Sequence, residues 1–468
     1  MTITTFLRSA TALALTTGAA FAEAPVLVTS TADSGAGSFR AALETLADTG
    51  GQIVVTAEGD ITIDSTLDYA GTAPLYVFGA GQTVRTAANA TLFAATAGAD
   101  LTINGLNFAG PGGFDIENRG DIDGPAGKGI FVDVRDDQQG YVSLVLENVT
   151  VSGVANHGVH VSDCDLADAC GGGAGGSGGG SEASIIVRLA GVTIDNVGHG
   201  KFDADGLRVD ERAAGSINFS ATASTFRNVG ADGVELDDGQ AGDVRVIVTG
   251  SAFVGNGAYC DPQILAAFMP DAPEGEFDEG TMPEADIPGP VTGAPDDSCI
   301  EREVDTYDDG TVEEYAFGID LDDGFDVDEA GDGSVVATLA DTTISRNLDE
   351  GLDLDEEGPG GIDLVLIDTA ASGNTDDGFK TSEEDAGDVS GLMLGTSAAD
   401  NGGVGAVFEE ADGGDVTVIV QGSMTMGNDD GGTGLEVVQE DGGSGRLVVT
   451  SSDIQEEIEV DGVDRSDM

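Results

Sequence analysis

Carboxylate side chains recur in sets around a short apolar alternation. The stretches "DDGFDVDE", "DEGLDLDE" and "DDGFKTSE" each contain acidic residues before a glycine, and further acidic residues follow it. Carboxylate oxygens are the ligands that Ca²⁺ prefers in proteins, and sites built from several chain segments are common. We therefore predict Ca²⁺ as a cofactor. The expected ligands are Asp322, Asp326, Asp328, Asp349, Asp353, Asp355 and Asp376.

These sets belong to a repeat with a fixed period. The glycines that precede the alternation, Gly324, Gly351, Gly378 and Gly405, are spaced by 27 residues, and Gly206 and Gly233 keep the same spacing upstream. An apolar residue stands 11 positions after most of these glycines, and an asparagine stands 23 positions after several of them. A period between 20 and 50 residues with two-residue apolar alternation is typical of a β-solenoid.

The period also predicts where the side chains point. In each repeat, the first and third residues after the glycine should face the interior, whereas the second should face solvent and the fourth should end the strand. Stacked coils lie about 4.8 Å apart, so the outward acidic residues should form columns. The asparagines, from Asn256 to Asn428, should form an amide ladder in a turn.

At this point the chain resembles the right-handed parallel β-helix proteins of the pectin-lyase-like superfamily. A second stretch, "DSGAGSFRAALETL" from Asp33, is similar to the segment that opens many exported bacterial β-helix proteins and leads into a helix that caps the first coil. The resemblance implies an all-β, right-handed parallel β-helix of about 27 residues per coil with a short N-terminal capping helix. It does not imply one function, because this fold supports lyases, hydrolases, epimerases and adhesins.

The density of charge has two interpretations. Two carboxylates about 4.8 Å apart repel by about 0.9 kcal/mol at the dielectric of water and about 3.5 kcal/mol at an effective value of 20. Bound Ca²⁺ would offset this repulsion. Alternatively, the acidic residues form a solvated surface suited to a salty medium, where screening removes much of the repulsion.

The superfamily includes Ca²⁺-dependent polysaccharide lyases, which combine acidic metal ligands with a basic residue on an outer sheet. If the chain is such an enzyme, the resemblance assigns the base to Lys380, with Arg346 nearby. The alternative for Lys380 is an ordinary salt bridge among acidic residues. Two short matches to hydrolase motifs, at His199 and Asn374, occur in the wrong order and are interpreted as chance.

The chain is predicted to be exported. Residues 1–22 have the basic start, apolar run and Ala-x-Ala end of a signal peptide. Residues 23–468 are predicted to form one β-helix domain with loop insertions near residues 164–184 and 257–316, and residues 453–468 to form a frayed or weakly capping tail. The cysteines are expected to form the disulfides Cys164–Cys170 and Cys260–Cys299, with zinc as the rival interpretation.

Composition limits the possible partners. The chain has 468 residues, 87 acidic and 17 basic, for a net charge of −70. Nucleic acids and anionic membranes are therefore poor partners, since both are bound through Lys and Arg, and no second apolar run is long enough for a membrane span. Two functions follow: a Ca²⁺-stabilised surface or extracellular module that binds carbohydrate or matrix, or a Ca²⁺-dependent lyase that acts on a uronate polymer.

Overall fold

The computed structural model describes residues 24–163, 180–270, 275–288, 293–307, 309–440 and 442–468. These residues form stacked coils whose strands pair in parallel with the equivalent strands of neighbouring coils. Paired residues of the regular repeats are 27 positions apart, as Phe325 and Leu352 are, whereas other pairs, such as Val407 and Glu436, are 29 apart. The fold is a parallel β-helix. The prediction of an all-β solenoid with this period is confirmed.

One face of the solenoid is a 12-stranded parallel sheet, called the acidic sheet from here on because it contains the predicted carboxylate columns. Its strands are Leu67–Tyr69, Phe93–Ala95, Ile130–Asp133, Val159–Ser162, Leu207–Glu211, Val234–Gln240, Phe325–Gly331, Leu352–Gly358, Ser382–Asp385, Val407–Glu410, Thr433–Gln439 and Glu457–Asp461.

The other two faces form one 24-stranded sheet, because two long strands continue from one face to the other. The strands of the second face are Val26–Val28, Gly51–Val55, Leu75–Arg85, Leu101–Ala109, Gln139–Glu147, Glu182–Ala190, Ile217–Thr222, Asp243–Thr249, Ser334–Ala340, Ile362–Ile367, Val389–Leu394, Val416–Gln421, Gly445–Thr450 and Val463–Asp467. The shorter strands of the third face are Ile61–Thr62, Thr150–Ser152, Thr193–Val197, Thr225–Val229, Ala252–Val254, Thr343–Ser345, Ala370–Ser372, Ser397–Ala399, Met424–Met426 and Asp453–Ile454.

The core is the inside of the coils. The first and third residues after each repeat glycine are buried there, as Phe325, Val327, Leu352 and Leu354 are. The apolar residues of the second alternation, such as Val335, are buried as well. Like residues lie above one another, so each coil buries its apolar face against the next and contributes hydrophobic stabilisation.

The predicted amide ladder is present in the turn that precedes the acidic sheet. The side-chain amide of Asn347 donates to Oδ1 of Asn374 over 3.0 Å, and Asn374 donates to Asn401 over the same distance. Asn256 and Asn428 extend the ladder at its two ends. All five asparagines are buried, and the ladder therefore provides partners for amide groups that would be costly to bury alone.

The first coil is capped by the helix Phe39–Leu46. Its buried residues are Phe39, Ala42, Leu43 and Leu46, the stripe expected from the sequence, and the Ser38 hydroxyl accepts a hydrogen bond from the Ala41 amide at the helix start. Three further short helices are Pro262–Leu265, Glu284–Asp286 and Asp429–Gly431, the last two of the 3₁₀ type.

Two expectations about strand ends hold only in part. Several strands of the acidic sheet, such as Phe325–Gly331 and Leu352–Gly358, continue beyond the fourth residue after the glycine, whereas Ile130–Asp133 and Val159–Ser162 end there. Of the two alternatives for the tail, frayed or weakly capping, fraying is wrong. Glu457–Asp461 and Val463–Asp467 each pair in parallel with the preceding coil, because their alternating sequence presents the same backbone groups to the stack.

The segment between Val254 and Phe325 leaves the coil and contains an antiparallel hairpin, with strands Ile300–Thr306 and Val312–Ile319. The predicted disulfide Cys260–Cys299 joins its two halves. Both cysteines lie in a small apolar cluster with Ile116, Tyr259 and Leu265. Cys164 and Cys170, like residues 1–22, lie outside the described residues. No helix within the described ranges has the length and apolar character needed to cross a bilayer.

Candidate metal site on the acidic sheet

The outer side of the acidic sheet carries the predicted columns. Arg208, Glu235, Asp326 and Asp353 occupy equivalent positions on four neighbouring strands. Two residues further along, Asp210, Asp237, Asp328 and Asp355 form a second column. Strand pairing therefore places carboxylates of successive coils about 4.8 Å apart.

Three carboxylates converge at the centre of this face. Ligand oxygens of Glu235, Asp326 and Asp328 all lie within 4.8 Å of one another, and we call these residues the central cluster. Glu235 is buried and the two aspartates are half-buried. Within the described residues, neither Asp326 nor Asp328 forms an ion pair or accepts a side-chain hydrogen bond. The cluster thus concentrates three carboxylates. Arg208 donates a hydrogen bond to Glu235, and the charges of Arg208, Arg212 and Lys380 partly oppose the effect of burial, which raises the pKa of Asp328.

A second group lies where the chain enters the strands. Oxygens of Asp323, Asp349 and Glu350 also lie within 4.8 Å of one another, and we call these residues the entry cluster. Asp323 is only 8% exposed, and its Oδ1 is buried without a hydrogen-bond partner. A buried carboxylate oxygen without a donor is costly. It indicates that a proton or a cation belongs at this position.

A third group already contains a cation. Asp203, Asp205 and Glu235 converge in the same way, but the guanidinium of Arg208 lies among them. Its Nη1 is 3.1 Å from Asp203 and 3.5 Å from Asp205, and it donates a hydrogen bond to Glu235. Arg208 also pairs with Asp210 through Nε at 2.8 Å. At this group the guanidinium provides the positive charge that a metal ion would otherwise supply.

Burial and like charge act together on the two clusters. Burial, followed by the charges of Asp328, Asp232 and neighbouring aspartates, raises the pKa of Asp326 well above its ordinary value. Burial and the nearby Glu350 do the same to the pKa of Asp323. For Glu235, burial raises the pKa well above its usual range despite the opposing charge of Arg208. Without a bound cation, these carboxyl groups therefore tend to retain protons.

The predicted metal ligands are distributed unevenly. Asp326 and Asp328 lie in the central cluster, and Asp349 lies in the entry cluster. Asp353 accepts a hydrogen bond from Lys380, whereas Asp376 is exposed. Asp322, Asp353, Asp355 and Asp376 lie outside the groups of three convergent carboxylates found in the described part of the chain. Their role as ligands remains a prediction.

Lys380 lies between acidic side chains of the preceding coil. Its Nζ is 2.6 Å from Oδ2 of Asp353 and 3.3 Å from Oε1 of Glu350. Burial alone would lower the pKa of Lys380, but the charges of Asp353, Glu350 and Asp355 outweigh burial and raise this pKa above its ordinary value. The geometry is that of the salt bridge that we considered as the alternative to a catalytic base.

Arg346 and the two hydrolase-like matches are placed elsewhere. Arg346 is exposed in the turn before Asn347, with a φ of 59°, and forms no ion pair within the described ranges. His199 contacts the carbonyl oxygen of Asn228 at 2.8 Å. Asn374 is buried and its amide belongs to the ladder. The amide of Asn374 is thus accounted for by the fold.

Sequence reasoning did not select Glu235, Asp323 and Glu350 as ligands. Glu235 stands two positions after the repeat glycine Gly233, so the sequence predicts its place in the column. Its partner Asp326, however, lies beyond the long insertion. Asp323 and Glu350 precede their glycines, in a turn whose geometry the alternation does not specify. Glu235 is identified as a ligand by the pairing of its strand with Phe325–Gly331 across the insertion. Asp323 and Glu350 are identified by the packing of the turn that precedes the strands.

The sequence analysis did not predict a further group of titratable side chains, formed by Lys128, His160 and Asp210. Lys128 Nζ lies 2.6 Å from Nδ1 of His160, and His160 Nε2 lies 2.6 Å from Oδ2 of Asp210. Burial and the charge of Lys128 lower the pKa of His160 to about 4, against the opposing effect of Asp210. His160 is therefore neutral at pH 7, with Nε2 as the donor and Nδ1 as the acceptor. These groups continue the column of Arg208 toward the N-terminus.

The disulfide-linked insertion reaches the edge of this face. Burial and the charges of Glu301 and Asp203 raise the pKa of Asp320 to about 7. Asp296 of the insertion also pairs with Arg119 at 2.9 Å and accepts a hydrogen bond from the Tyr259 hydroxyl at 2.7 Å. The insertion is thus anchored to Arg119, in the segment between the strands Leu101–Ala109 and Ile130–Asp133.

Comparison with known proteins gives no family assignment. No protein-family model matches the sequence, and no curated protein sequence matches it. Among solved structures, ORF18 of Geobacillus virus E2 is 10% identical with a TM-score of 0.42, and the match covers 95% of this chain and 62% of that protein. This chain therefore spans less than two thirds of the viral protein.

Two carbohydrate-active proteins show a similar degree of likeness. Pectate lyase Pel9A is 15% identical with a TM-score of 0.38, over 95% of this chain and 79% of its own. The catalytic unit of an α-1,3-glucanase from Streptomyces thermodiastaticus is 13% identical with a TM-score of 0.41, over 96% of this chain and 70% of its own. Likeness at this level does not transfer a function, so the following proposal depends on the acidic sheet itself.

Proposed function

We propose that this protein is an exported, Ca²⁺-stabilised β-helix whose acidic sheet binds acidic carbohydrate or matrix polymers through bound metal. The central cluster carries this proposal: Glu235, Asp326 and Asp328 converge within 4.8 Å, and the two aspartates form no ion pair in the described structure. The signal-like residues 1–22 and the disulfide Cys260–Cys299 support export into an oxidising compartment.

The residues fit a hard divalent cation. Ca²⁺ takes six to eight oxygen ligands at roughly 2.3–2.6 Å, from carboxylates, carbonyls and water. The central cluster supplies carboxylates from two adjacent coils, and its aspartates are half-buried, so that water can complete the shell. The entry cluster adds a buried oxygen of Asp323 that lacks a donor. Bound Ca²⁺ would link neighbouring coils and remove the repulsion between their columns.

Salt adaptation accounts for other acidic residues better than for these. Asp363, on the second face, and Asp368, in the turn that follows its strand, are exposed, where counterions screen their charge. Glu235, Asp323 and Glu350 are each less than 10% exposed, and buried charges are screened much less by dissolved salt. Glu235 and Glu350 already pair with Arg208 and Lys380, so a further ligand is expected chiefly at Asp323, Asp326 and Asp328, whereas the exposed acidic residues serve solubility.

The polymer-binding part of the proposal follows from charge. With a net charge of −70 the protein repels a polyanion such as a uronate polymer. A Ca²⁺ ion at a half-buried site has coordination positions that the protein does not fill. A sugar carboxylate can occupy these positions, so that the ion bridges two negative surfaces. Binding to acidic polymers should therefore require Ca²⁺, and binding to neutral polymers should not be promoted by it.

A matched pair of variants tests this function. Asp326→Asn removes one charge from the central cluster, and Asp363→Asn removes one charge from the exposed second face. In sedimentation assays with alginate or pectate, wild type and Asp363→Asn should bind in Ca²⁺ and dissociate in chelator, whereas Asp326→Asn should bind weakly in both. Equal binding of the two variants would contradict a role for the central cluster.

The same face admits a second function, a Ca²⁺-dependent lyase. The observation in its favour is the cation Lys380, which lies beside the columns with its side chain 30% exposed. As a base Lys380 would have to lose the proton that its ion pairs hold. The lyase predicts new ultraviolet absorbance from unsaturated sugar ends, and its loss by at least about 10²-fold in Lys380→Ala. Absence of product from a panel of uronate polymers in Ca²⁺ would reject it.

A further inference from the structure

The outer side of the second face carries exposed apolar side chains. They occupy outward positions on five successive coils, from the strand Asp243–Thr249 to the strand Val416–Gln421. Ile247 is 59% exposed and Ile419 is 41% exposed, and four of the ten large apolar side chains that are exposed in the described chain lie here. The residues that we call the apolar patch are Ile247, Val336, Val365, Ile367, Leu392, Leu394 and Ile419.

The surface around the apolar patch carries little charge, in a chain with 87 acidic residues. The outward positions of its five strands contain three charged residues, Asp243, Arg245 and Asp363, and the first two form an ion pair with each other. All three stand near the starts of their strands, at the side of the patch, where charged groups can remain hydrated. The negative charge of these coils therefore lies mainly on other surfaces.

The apolar patch belongs to a regular part of the sheet. From the strand Ile217–Thr222 to the strand Gly445–Thr450, successive strands of the second face pair without a register shift. Like positions therefore form columns with a spacing of about 4.8 Å from coil to coil. The side chains of the patch are all aliphatic. Such an even surface can pack against a second copy of itself, because a contact between two identical patches is self-complementary.

The size of this regular surface suits a specific interface. Its seven strands, about 4.8 Å apart and about 20 Å long, cover about 34 Å by about 20 Å, or about 700 Å². Specific interfaces bury about 600–1,000 Å² on each partner. The apolar patch occupies the middle of the surface, and uncharged residues such as Asn218, Ser220 and Thr450 border it. An apolar centre with a polar rim is the usual arrangement in protein interfaces.

The distribution of charge favours a second copy of this chain as the partner. Two molecules with a net charge of −70 repel each other, most strongly where their acidic sheets would meet. Contact through the second faces brings the two surfaces with the fewest carboxylates together and keeps the acidic sheets away from the contact. Monomeric soluble proteins rarely expose apolar patches larger than a few hundred Å², so the apolar patch is expected to be covered in solution.

We propose that the apolar patch is the interface of a homodimer, in which two copies of the chain pack through their second faces. Burial of apolar surface stabilises the pair, and a two-fold axis allows the same patch to serve both copies. The acidic sheets remain accessible to solvent in this dimer. The proposal is independent of bound Ca²⁺, because the interface contains no residue of the central cluster or the entry cluster.

Salt should strengthen this dimer. The Debye length falls from about 8 Å at an ionic strength of about 0.15 M to about 3 Å at about 1 M. Repulsion between the two acidic molecules therefore weakens, whereas the apolar contact does not depend on charge. Sedimentation equilibrium of wild-type protein in chelator, at both ionic strengths and over a wide range of protein concentrations, should show a dimer with a smaller dissociation constant at the higher ionic strength. A monomer at the highest concentration in both solutions would overturn the proposal.

A matched pair of variants locates the interface. Ile419 and Met426 lie on neighbouring strands of one coil and are 41% and 39% exposed, but Ile419 is on the second face and Met426 is on the third. Ile419→Glu places a charge within the interface and should raise the dissociation constant at least about tenfold, whereas Met426→Glu should dimerise as wild type does. Equal dissociation constants of the two variants would overturn the proposal. Because chelator is present throughout, failure of the Ca²⁺ site would leave these results unchanged.

Discussion

Lys380 donates a hydrogen bond from Nζ to Oδ2 of Asp353 over 2.6 Å, across the boundary between two coils. Asp353 is buried, and it pairs in register with Asp326 of the preceding strand. The ammonium group therefore lies at the C-terminal end of the carboxylate column, as Arg208 lies at the other end beside Glu235. Between these two cations the column contains acidic residues alone, and the central cluster is situated there.

Removal of the Lys380 charge should destabilise the fold. Lys380→Ala leaves Asp353 and Glu350 without their cation in a largely buried position, and we expect a loss of about 1–3 kcal/mol in the free energy of unfolding. Arg346→Ala is the control, because Arg346 is exposed and forms no ion pair within the described residues. Denaturant unfolding of both variants in chelator measures this loss. If the free energy of unfolding of Lys380→Ala equals that of wild type, the salt bridge does not contribute to stability.

The asparagine ladder should be sensitive to its central member. Asn374→Ala removes the acceptor of the Asn347 amide and the donor to Asn401, both buried. Loss of these partners is expected to cost about 2–6 kcal/mol, at about 1–3 kcal/mol for each unsatisfied group. The neighbouring Thr375→Ala, at an exposed position, should cost less than about 0.5 kcal/mol. Similar unfolding midpoints for the two variants would show that the ladder adds no stability.

Ca²⁺ binding should release protons. Burial and neighbouring acidic groups raise the pKa values of Asp326 and Asp323 well above their ordinary values, and raise that of Asp355 to about 8. These carboxyl groups must lose protons before they bind metal, so the apparent affinity for Ca²⁺ should increase as pH rises toward about 8. Calorimetric titration in two buffers with different heats of ionisation measures the released protons. A heat that is independent of the buffer would contradict the raised pKa values.

The disulfide should stabilise the insertion rather than the coils. Cys260 and Cys299, 39 positions apart, close a long loop, and most of the apolar core is separate from their small cluster. Cys260→Ser with Cys299→Ser should therefore give faster proteolysis between residues 261 and 320, while the remaining solenoid resists the protease. Cleavage throughout the chain at the same rate would show that the insertion is required for the whole fold.

Much of the fold was predictable because a solenoid repeats one local rule. The 27-residue spacing and the alternation around Gly324 and Gly351 specify which side chains face inward, and strand pairing agrees with them. The capping helix was found from its similarity to known first coils. The strand ends were not predictable, because Glu329 and Glu356 are charged residues that the fold buries, and alternation treats a charged residue as the end of a strand.

The candidate site was only partly predictable for a related reason. Asp326 and Asp328 follow from the column rule, but their neighbour Glu235 belongs to the strand before the long insertion. Asp323 and Glu350 converge through a turn whose course depends on packing between coils. Lys380 also shows a limit of residue type alone, since a lone cation among acids suits both a base and a salt bridge. Its distances to Asp353 and Glu350 show the salt bridge, and its role as a base stays a prediction.

The central claim is that the acidic columns hold Ca²⁺ that stabilises the coils, and thermal unfolding tests it most directly. Melting temperatures are compared in chelator and in millimolar Ca²⁺ at matched ionic strength, for wild type, Asp326→Asn and Asp363→Asn. A ligand present at 100 times its dissociation constant adds about 2.7 kcal/mol to the stability of the fold. Wild type and Asp363→Asn should therefore melt several degrees higher in Ca²⁺, and Asp326→Asn should gain much less. Identical melting temperatures of wild type in chelator and in Ca²⁺ would contradict this claim. The acidic residues would then be explained by adaptation to a salty medium, in which dissolved ions screen their charge.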